Sequence, residues 1–270
     1  MDSGLPIRSF LALNRNKYVR ETVRVPRVAG TIHITTNLEA GSTDLLHYHD
    51  NTHLSFILRG GIIDRRGHSE TERPPGELLF FNAGEPHQSI YRVFPAAGIN
   101  LELGPSFFRD NSVTETSLSA SVAGPGAKLI MLNIYKELRH KDDFSDHSIE
   151  LLILSLIRLK DTAKRMRPAW IDKVVELLND NWNAPLSLND LAAAANVHPV
   201  TISKHFPKFF SCTLGEYRRR LRIERSLTLI KTSSLSLTEV AYHCGFSDQS
   251  HFTRTFKHMT GFLPCNYKIL

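Results

Sequence analysis

The sequence predicts a multidomain α+β protein with a β-rich N-terminal domain and an all-helical C-terminal domain. Up to about residue 103, short β-branched runs are separated by glycine and proline, a spacing typical of an antiparallel sandwich or barrel. Beyond residue 127, apolar residues recur with the periodicity of amphipathic helices. We therefore expect three parts, residues 1–110, 111–167 and 168–270.

The predicted strands are the five runs 30–36, 53–59, 77–81, 89–94 and 99–103. After them, residues 104–126 are polar and contain Gly, Ser and Pro, so we expect a loose connection. Helices are predicted at 128–139 and 146–165, the second with an apolar flank that includes Leu151. Pro168 ends that helix or begins the next unit.

The composition is that of a globular protein kept in a reducing compartment. The three cysteines, Cys212, Cys244 and Cys265, form no CxxC pair and are odd in number, so no disulfide framework is expected. The first residues lack the basic-then-apolar pattern of a signal peptide. The longest apolar stretch, 151–157, is too short to cross a bilayer. These observations predict a cytoplasmic protein with no membrane partner.

Positive charge is concentrated at the C-terminal end. From residue 201 onward the sequence has eleven Lys and Arg against four Asp and Glu, so these 70 residues have a net charge of +7. The net charge of the whole chain is +6, so the first 200 residues are close to neutral. Five of the arginines lie in one predicted basic helix, residues 217–226. Such an asymmetry is the electrostatic footprint of a nucleic-acid-binding region, although a solvated helix face would look similar.

The C-terminal region contains an internal repeat. Residues 186–192 (LSLNDLA) match 235–241 (LSLTEVA) at an offset of 49, and beyond the turn the offset becomes 50, as for Phe206 and Phe256. One additional residue in the second turn explains this change. Each copy reads as a short helix, a tight turn and a second helix, which is the helix-turn-helix pattern.

Local signals support the same division. Ser187 and Ser236 are suitable cap residues for the two short helices. Pro199 suits the first position of the next helix, and Gly245 suits a turn that needs positive φ.

The second helix of the second copy, residues 248–259, has two chemically distinct sides. Phe252, Phe256 and Met259 fall on one side and would be buried. The other side presents polar and basic groups, from Gln249, Ser250, Thr253, Arg254 and Lys257. In the major groove, Gln pairs with adenine and Arg with guanine. Two such helices about 34 Å apart would read successive major grooves, so double-stranded DNA is the predicted partner.

Residues 237–262 (LTEVAYHCGFSDQSHFTRTFKHMTGF), followed by Pro264 and Tyr267, resemble the DNA-binding signature of AraC/XylS-type transcription regulators. The resemblance extends over about 170–268. It implies seven helices in two subdomains joined by a long linker helix. By position, it implies base-facing residues at Val200, Ser203 and Lys204 in the first copy, and at Gln249, Ser250, His251 and Arg254 in the second.

The first copy departs from this family at Pro207, where a basic residue is usual, and at Ser211, where glycine is usual. Because proline lacks an N–H and clashes with the preceding turn, we expect the helix to kink or stop near Phe206. Val200 and Ser203 offer few specific contacts. The second copy is therefore expected to carry more of the base readout, and the first mainly phosphate contacts.

The N-terminal domain resembles a cupin, the usual sensor of AraC-type regulators, over about residues 30–103. The two motifs are Gly41-x5-His47-x-His49-x3-His53-x6-Gly60 and Gly76-x5-Asn82-x-Gly84-x2-His87-x3-Tyr91. The sequence departs from the cupin pattern with His53 in place of glutamate, Asn82 in place of proline and Tyr91 in place of asparagine. The resemblance implies a small β-barrel with the four histidines at its mouth.

The four histidines, His47, His49, His53 and His87, have two interpretations. Neutral imidazoles suit Zn, Ni, Cu or Fe(II), and alternating positions on one strand would point His47 and His49 the same way. Alternatively, the histidines line a small-molecule pocket, with Phe81 and Tyr91 as aromatic walls.

Three functions fit these features. In the first, the protein is a regulator: a small-molecule effector binds the N-terminal domain, helices within 128–165 form a homodimer, and the C-terminal domain binds promoter DNA. As an activator it would also contact RNA polymerase. The second is a metal-dependent cupin enzyme, and the third is a regulator whose signal is the metal itself. The repeat and the basic helix favour a regulator without catalytic activity.

Overall fold

The protein is described by a computed structural model over residues 18–25, 30–37, 44–93, 95–140, 142–158 and 167–270. The chain divides into two compact units, Met1–Glu115 and Thr116–Leu270.

The first unit is built from two antiparallel sheets. Its strands are β1 (Tyr18–Val25), β2 (Gly30–Asn37), β3 (Thr52–Arg59), β4 (Ile62–Arg66), β5 (Ser69–Arg73), β6 (Leu78–Phe81), β7 (Gln88–Tyr91) and β8 (Ala96–Leu103). One sheet has the order β1-β2-β8-β3-β6, and the other has the order β5-β4-β7. Within the described ranges no strand pair joins the two sheets, so the closed barrel implied by the cupin resemblance is not shown.

Side chains along β8 alternate between the two faces of the sheet. One face contributes to the hydrophobic core, and the other lines a pocket that contains the predicted histidines. Ile99, Leu101 and Leu103 are fully buried, whereas Asn100 and Glu102 point to the opposite face, as the period of two along a strand requires. All five predicted strands are present. The strands β1, β4 and β5 were not predicted, and Phe94 lies outside the described residues.

The prediction of a loose connection over 104–126 is wrong. Two helices lie there, α1 (Pro105–Asp110) and α2 (Glu115–Val122). Pro105 occupies the first turn of α1, where a missing N–H costs nothing. Phe107 of α1 and Leu118 and Val122 of α2 are buried, so apolar side chains hold both short helices in place.

The second unit contains the predicted helical pair, α3 (Ala127–His140) and α4 (Ser145–Arg158), which pack on each other. Both helices contribute fully buried apolar residues, among them Met131 and Ile134 of α3 and Ile153 of α4. The remainder of the predicted second helix, beyond residue 158, lies outside the described residues.

Seven further helices occupy 167–270, every residue of which is described. They are α5 (Ala169–Asp180), α6 (Leu188–Ala194), α7 (Pro199–Phe210), α8 (Leu214–Thr232), α9 (Leu237–His243), α10 (Gln249–Thr260) and α11 (Pro264–Ile269). The first module, α5–α7, packs around Ile202 and Phe206. The second module, α9–α11, buries Phe252, Phe256 and Tyr267. The helix α8 links the two modules, as the resemblance implied.

The repeat predicted from the sequence is confirmed element by element. The helices α6 and α9 have seven residues each, and α7 and α10 have twelve. Both short helices start with a capping box, Ser187 with Asp190 and Ser236 with Glu239. The turn holds four residues in the first copy and five in the second, which accounts for the changed offset. Gly245 has φ 75°, as predicted for that turn.

The expectation that α7 stops near Phe206 is wrong. The helix continues through Pro207 to Phe210. Proline removes only one N–H, and its usual acceptor would be the carbonyl of Ser203, an exposed residue on the solvent side of the helix. The helix instead ends at Ser211, which adopts the left-handed conformation with φ 51°.

Candidate nucleic-acid interface and histidine pocket

The second helix of each module presents the predicted residues at the surface. On α7, Val200, Ser203 and Lys204 are exposed, while Ile202 and Phe206 are buried beneath them. Val200 is 60% exposed, so its apolar side chain is available at the surface of the helix.

On α10, all five residues proposed to contact DNA are exposed, namely Gln249, Ser250, His251, Arg254 and Lys257. The opposite side carries Phe252 and Phe256, both fully buried, and Met259, partly buried. The carboxylate of Asp248 caps the helix by accepting the His251 N–H at 2.7 Å. A polar front on an apolar back is therefore present, and the DNA contacts themselves stay a prediction.

The arginines of α8 have different roles from those that charge counting suggests. Arg218 and Arg222 are half-buried and donate to backbone carbonyls of neighbouring loops, so they act as structural anchors. Arg220 pairs with Glu216 one turn earlier. Only Arg219 and Arg225 of this basic helix are exposed. The positive surface of α8 is therefore smaller than its sequence predicts.

The helix α3 contacts both the linker helix and the second module. The amide of Asn133 donates to the Met259 carbonyl at the end of α10, at 2.8 Å. Just before α3, the Gly126 N–H donates to the Glu224 carboxylate of α8 at 2.6 Å. Glu224 is buried, and this burial raises its pKa to about 7 despite the nearby Lys128. Sequence reasoning missed Glu224 because it has the spacing of an ordinary helix acid.

The four predicted histidines of the first unit come together. The ligand nitrogens of His47, His49 and His87 lie within 4.8 Å of one another. The ring of His53 lies 4.1 Å from that of His49 and stacks on Phe81 at 4.3 Å. His47 and His49 do not lie on one continuous strand as expected: His47 forms an isolated bridge with His87.

Hydrogen bonds to the Nδ1 atoms determine the tautomers of three of these imidazoles. The partners are the Leu45 carbonyl for His47 (2.7 Å), the Glu102 carboxylate for His49 (3.2 Å) and the Glu85 carbonyl for His87 (3.0 Å). Since these oxygens accept, each Nδ1 carries a proton, and in a neutral ring the Nε2 would then be the nitrogen with a free lone pair. Metal-ligating histidines have this arrangement of outer partners.

Burial favours the neutral form of His47, His53 and His87. It lowers the pKa of His53 to about 2 and that of His87 to about 4, and it lowers the pKa of His47 as well. Neighbouring imidazoles lower the pKa values further. The Nδ1 atom of His53 is buried without a hydrogen-bond partner among the described residues. At neutral pH these three imidazoles therefore offer uncharged nitrogen donors.

The pocket around the histidines is lined by all six residues predicted for an effector site. Asp44 and Glu102, which sequence reasoning missed, add two carboxylates; Asp44 accepts the Tyr91 hydroxyl at 3.1 Å. Glu102 lies between the apolar residues Leu101 and Leu103 in the sequence, and this alternation could have indicated that its side chain points away from the core. The cavity measures about 70 Å³. Since drug-sized ligands need about 300–1,000 Å³, this cavity suits an ion or a very small molecule.

Comparison with known proteins gives matches over the C-terminal region and over most of the chain. Residues 191–268 match a family model described as a helix-turn-helix domain. GbdR, an HTH-type transcriptional regulator of Pseudomonas aeruginosa, is 32% identical over 94 residues, which are 35% of this chain and 26% of GbdR. The chain thus spans about a quarter of that relative.

Two other similarities differ in extent. YpdC of Escherichia coli, named as an uncharacterized HTH-type transcriptional regulator, is 25% identical over 237 residues, which are 81% of this chain and 82% of YpdC. A solved AraC-type regulator from Chromobacterium violaceum has 25% identity, covers 37% of this chain and 89% of its own, and gives a TM-score of 0.36. The match over residues 191–268 identifies a helix-turn-helix domain in the C-terminal part of this chain. Within the described residues, no helix combines the length and hydropathy needed to cross a bilayer.

Proposed function

We propose that the chain is a sequence-specific DNA-binding transcription regulator of the AraC type. The proposal rests chiefly on the repeated module, in which α7 and α10 each combine a buried apolar back with an exposed polar front. The helix-turn-helix match over 191–268 and the similarity to regulators along most of the chain support it.

In the proposed complex, α7 and α10 enter major grooves of one duplex. Gln249 and Arg254 read bases through the amide and guanidinium groups, and Lys204 and Lys257 neutralise phosphates. The exposed Val200 makes an apolar contact, for which a thymine methyl group is suitable.

A gel shift with DNA from upstream of the gene, run over a range of salt concentrations, tests this proposal. Specific DNA should bind more tightly than random DNA, and affinity should fall steeply with salt because phosphate contacts release counterions. Replacing Lys204 and Lys257 by Gln should lower the salt slope by about one for each phosphate that is no longer neutralised. Lys173→Gln, an exposed lysine paired with Glu176, is the matched control. Affinity that does not depend on salt would contradict the proposal.

We also propose that the signal is received at the histidine pocket, by a divalent metal such as Zn, Ni, Cu or Fe(II), or by a very small effector. The converging ring nitrogens of His47, His49 and His87 and the small cavity support a metal. The unpartnered Nδ1 of His53 provides a further polar group. A bound ion would draw His47, His49 and His87 together, and Glu102 would hold the ring of His49 in place.

The proposed regulator is a homodimer that associates through α4. Phe144, just before α4, is 74% exposed, and Leu151, seven residues later, is 65% exposed, so two large apolar groups are displayed two helical turns apart. As an activator, the DNA-bound dimer would contact RNA polymerase. Sedimentation of the full chain with Leu151→Lys tests the dimer: the variant should be monomeric at concentrations at which the native chain is dimeric.

A further inference from the structure

The two helix-turn-helix modules contact each other through polar groups around Arg222 of the linker helix α8. We call this contact the seam; it joins the α5–α6 loop of the first module to the α9–α10 turn of the second. The Arg222 Nη1 donates to the Gly245 carbonyl at 2.7 Å, in the turn between α9 and α10. Its Nε donates to the Trp182 carbonyl at 3.1 Å, and its Nη2 to the Ala184 carbonyl at 3.3 Å, both in the loop between α5 and α6. One guanidinium therefore binds carbonyls of both modules.

The backbones approach closely at this seam. A Cβ atom at Gly245 would lie 2.4 Å from the Asn183 carbonyl and 3.0 Å from the Arg222 guanidinium carbon. A second bond crosses the seam beside it, from the Asn183 amide to the His243 carbonyl at 3.1 Å. The turn of the second module is thus seated directly on the loop of the first.

The remaining arginines of α8 do not make this bridge. Arg218 donates to the Ala184 and Leu186 carbonyls, so it anchors the loop of the first module alone. Arg225 is exposed. The chain therefore provides two matched controls on the same helix with the same charge.

Each recognition helix is fixed to the core of its own module, α7 through Ile202 and α10 through Phe252. The relation between the two helices depends on α8 and on the seam. The guanidinium group is planar and always charged, and its donors have fixed directions, so it holds several carbonyls in one geometry where a lysine ammonium would not.

We infer that Arg222 sets the separation and relative orientation of the two recognition helices, and thereby the spacing between the two DNA subsites that the protein accepts. This inference rests on the proposed function. One extra base pair between the subsites moves one of them by about 3.4 Å and rotates it by about 35°. A rigid pair of modules cannot follow this change, whereas a loosened pair can.

The first test measures the distance between the modules without DNA. Spin labels at Ser203→Cys and Ser250→Cys, in the full chain with Cys265→Ser, report the separation of α7 and α10; Cys212 and Cys244 are buried. The native chain, Arg218→Gln and Arg225→Gln should give one narrow distribution. Arg222→Gln should give a distribution about twice as wide, because it loses the bonds to three carbonyls. Arg222→Lys, which keeps the charge, should lie between them.

The second test uses unlabelled full chain and duplexes selected by the native protein from a random library. Lengthening or shortening the spacer between subsites by one base pair should cost the native chain and Arg225→Gln about tenfold in affinity or more. For Arg222→Gln, the same change of spacer should lower the affinity by less than about threefold. The affinity of this variant for the best spacing should be lower than that of the native chain. Circular dichroism confirms that each variant is folded.

The outcomes are separable. A folded Arg222→Gln variant with the native distance distribution and spacer preference overturns the inference. So does an Arg218→Gln variant that loosens the modules equally, since the loop anchor and not the bridge would then be responsible. If the native chain selects no duplex, the proposed function fails, and the distance measurement still decides whether Arg222 holds the modules.

Discussion

The helices α7 and α10 occupy equivalent positions in the two modules, but α7 ends at a serine and α10 ends at a glycine. Ser211 ends α7 with φ 51°, and Gly261 ends α10 with φ 79°. The left-handed conformation places the Cβ atom of a serine close to the next carbonyl oxygen, whereas glycine adopts it without a clash. The first module therefore contains a local backbone strain that the second avoids.

Replacing Ser211 by Gly should raise the free energy of unfolding by about 0.5–1 kcal/mol, because relief of the left-handed strain exceeds the extra entropy of an unfolded glycine. Urea unfolding of the full chain, followed by circular dichroism, measures the change. The reciprocal Gly261→Ser should be destabilising, since a serine there would have to adopt φ 79°. A less stable Ser211→Gly variant would contradict this explanation.

Arg254 is the exposed guanidinium of α10 that is best suited to base readout. Arg254→Ala should weaken binding to the selected duplex by about 1–3 kcal/mol and relax the base preference at one position. Competition gel shifts with single-base variants of the duplex measure both effects. Lys257→Ala, which removes the proposed phosphate contact, should weaken binding to all duplexes alike. Equal losses on specific and random DNA for Arg254→Ala would remove it from the set of base-reading residues.

At the scale of elements, the most unusual contact joins the start of α3 to the middle of α8. The Glu224 carboxylate is fully buried where it accepts the Gly126 N–H, and Lys128, Arg220 and Arg225 are the charged groups around it. Burial raises the pKa of this carboxyl from 4.5 to about 7, so the folded protein favours its protonated form.

The raised pKa of Glu224 makes the folded protein less stable as the pH rises. Below pH 4.5 the Glu224 carboxyl is protonated in both the folded and unfolded states; as the pH rises to about 7, the unfolded state ionises first. The free energy of unfolding should therefore fall by about 3 kcal/mol over this window and then level off. Glu224→Gln, which still accepts the Gly126 N–H, should remove this component. Urea unfolding of both chains from pH 5 to 8 measures it, and parallel pH profiles would contradict it.

The helix-turn-helix elements were predictable because their determinants are local. Capping serines, Pro199 and Gly245 act within one turn of the chain, so the repeat and even its additional residue could be located in the sequence. The strands β4 and β5 were missed because their charged residues, Arg65 and Glu70, pair across the hairpin and conceal the alternation.

Tertiary contacts limited the prediction of individual side chains. The arginines of α8 looked equivalent in the sequence, yet Arg218 and Arg222 turn inward to carbonyls of loops more than twenty residues away. Likewise, the cupin resemblance implied the convergence of the four histidines, whereas Glu102, the partner of His49, is contributed by a strand that lies outside both motifs.

At the scale of the whole molecule, metal binding at the histidine pocket should appear as increased stability. A ligand that binds only the folded state stabilises it by RT ln(1 + [L]/Kd), about 2.7 kcal/mol at a hundredfold excess over Kd. Zn²⁺ or Ni²⁺ added to tag-free, chelator-treated full chain should raise the Tm. His47→Ala should abolish this rise, and the exposed His68→Ala should not. An equal rise in both variants would show that the ions bind elsewhere.

The position of α3 across α8 and α10 also determines how a truncated version of this protein would behave. Cleavage at Arg167 would retain all seven C-terminal helices but remove Gly126, Asn133 and Lys136 from their contacts. Water would then reach the Glu224 carboxyl, which would ionise like an ordinary surface acid, and the Met259 carbonyl would lose its donor. Such a fragment would differ from the intact protein in charge at neutral pH and in the support of α10, the proposed recognition helix. Fragment affinities would therefore misrepresent those of the intact chain.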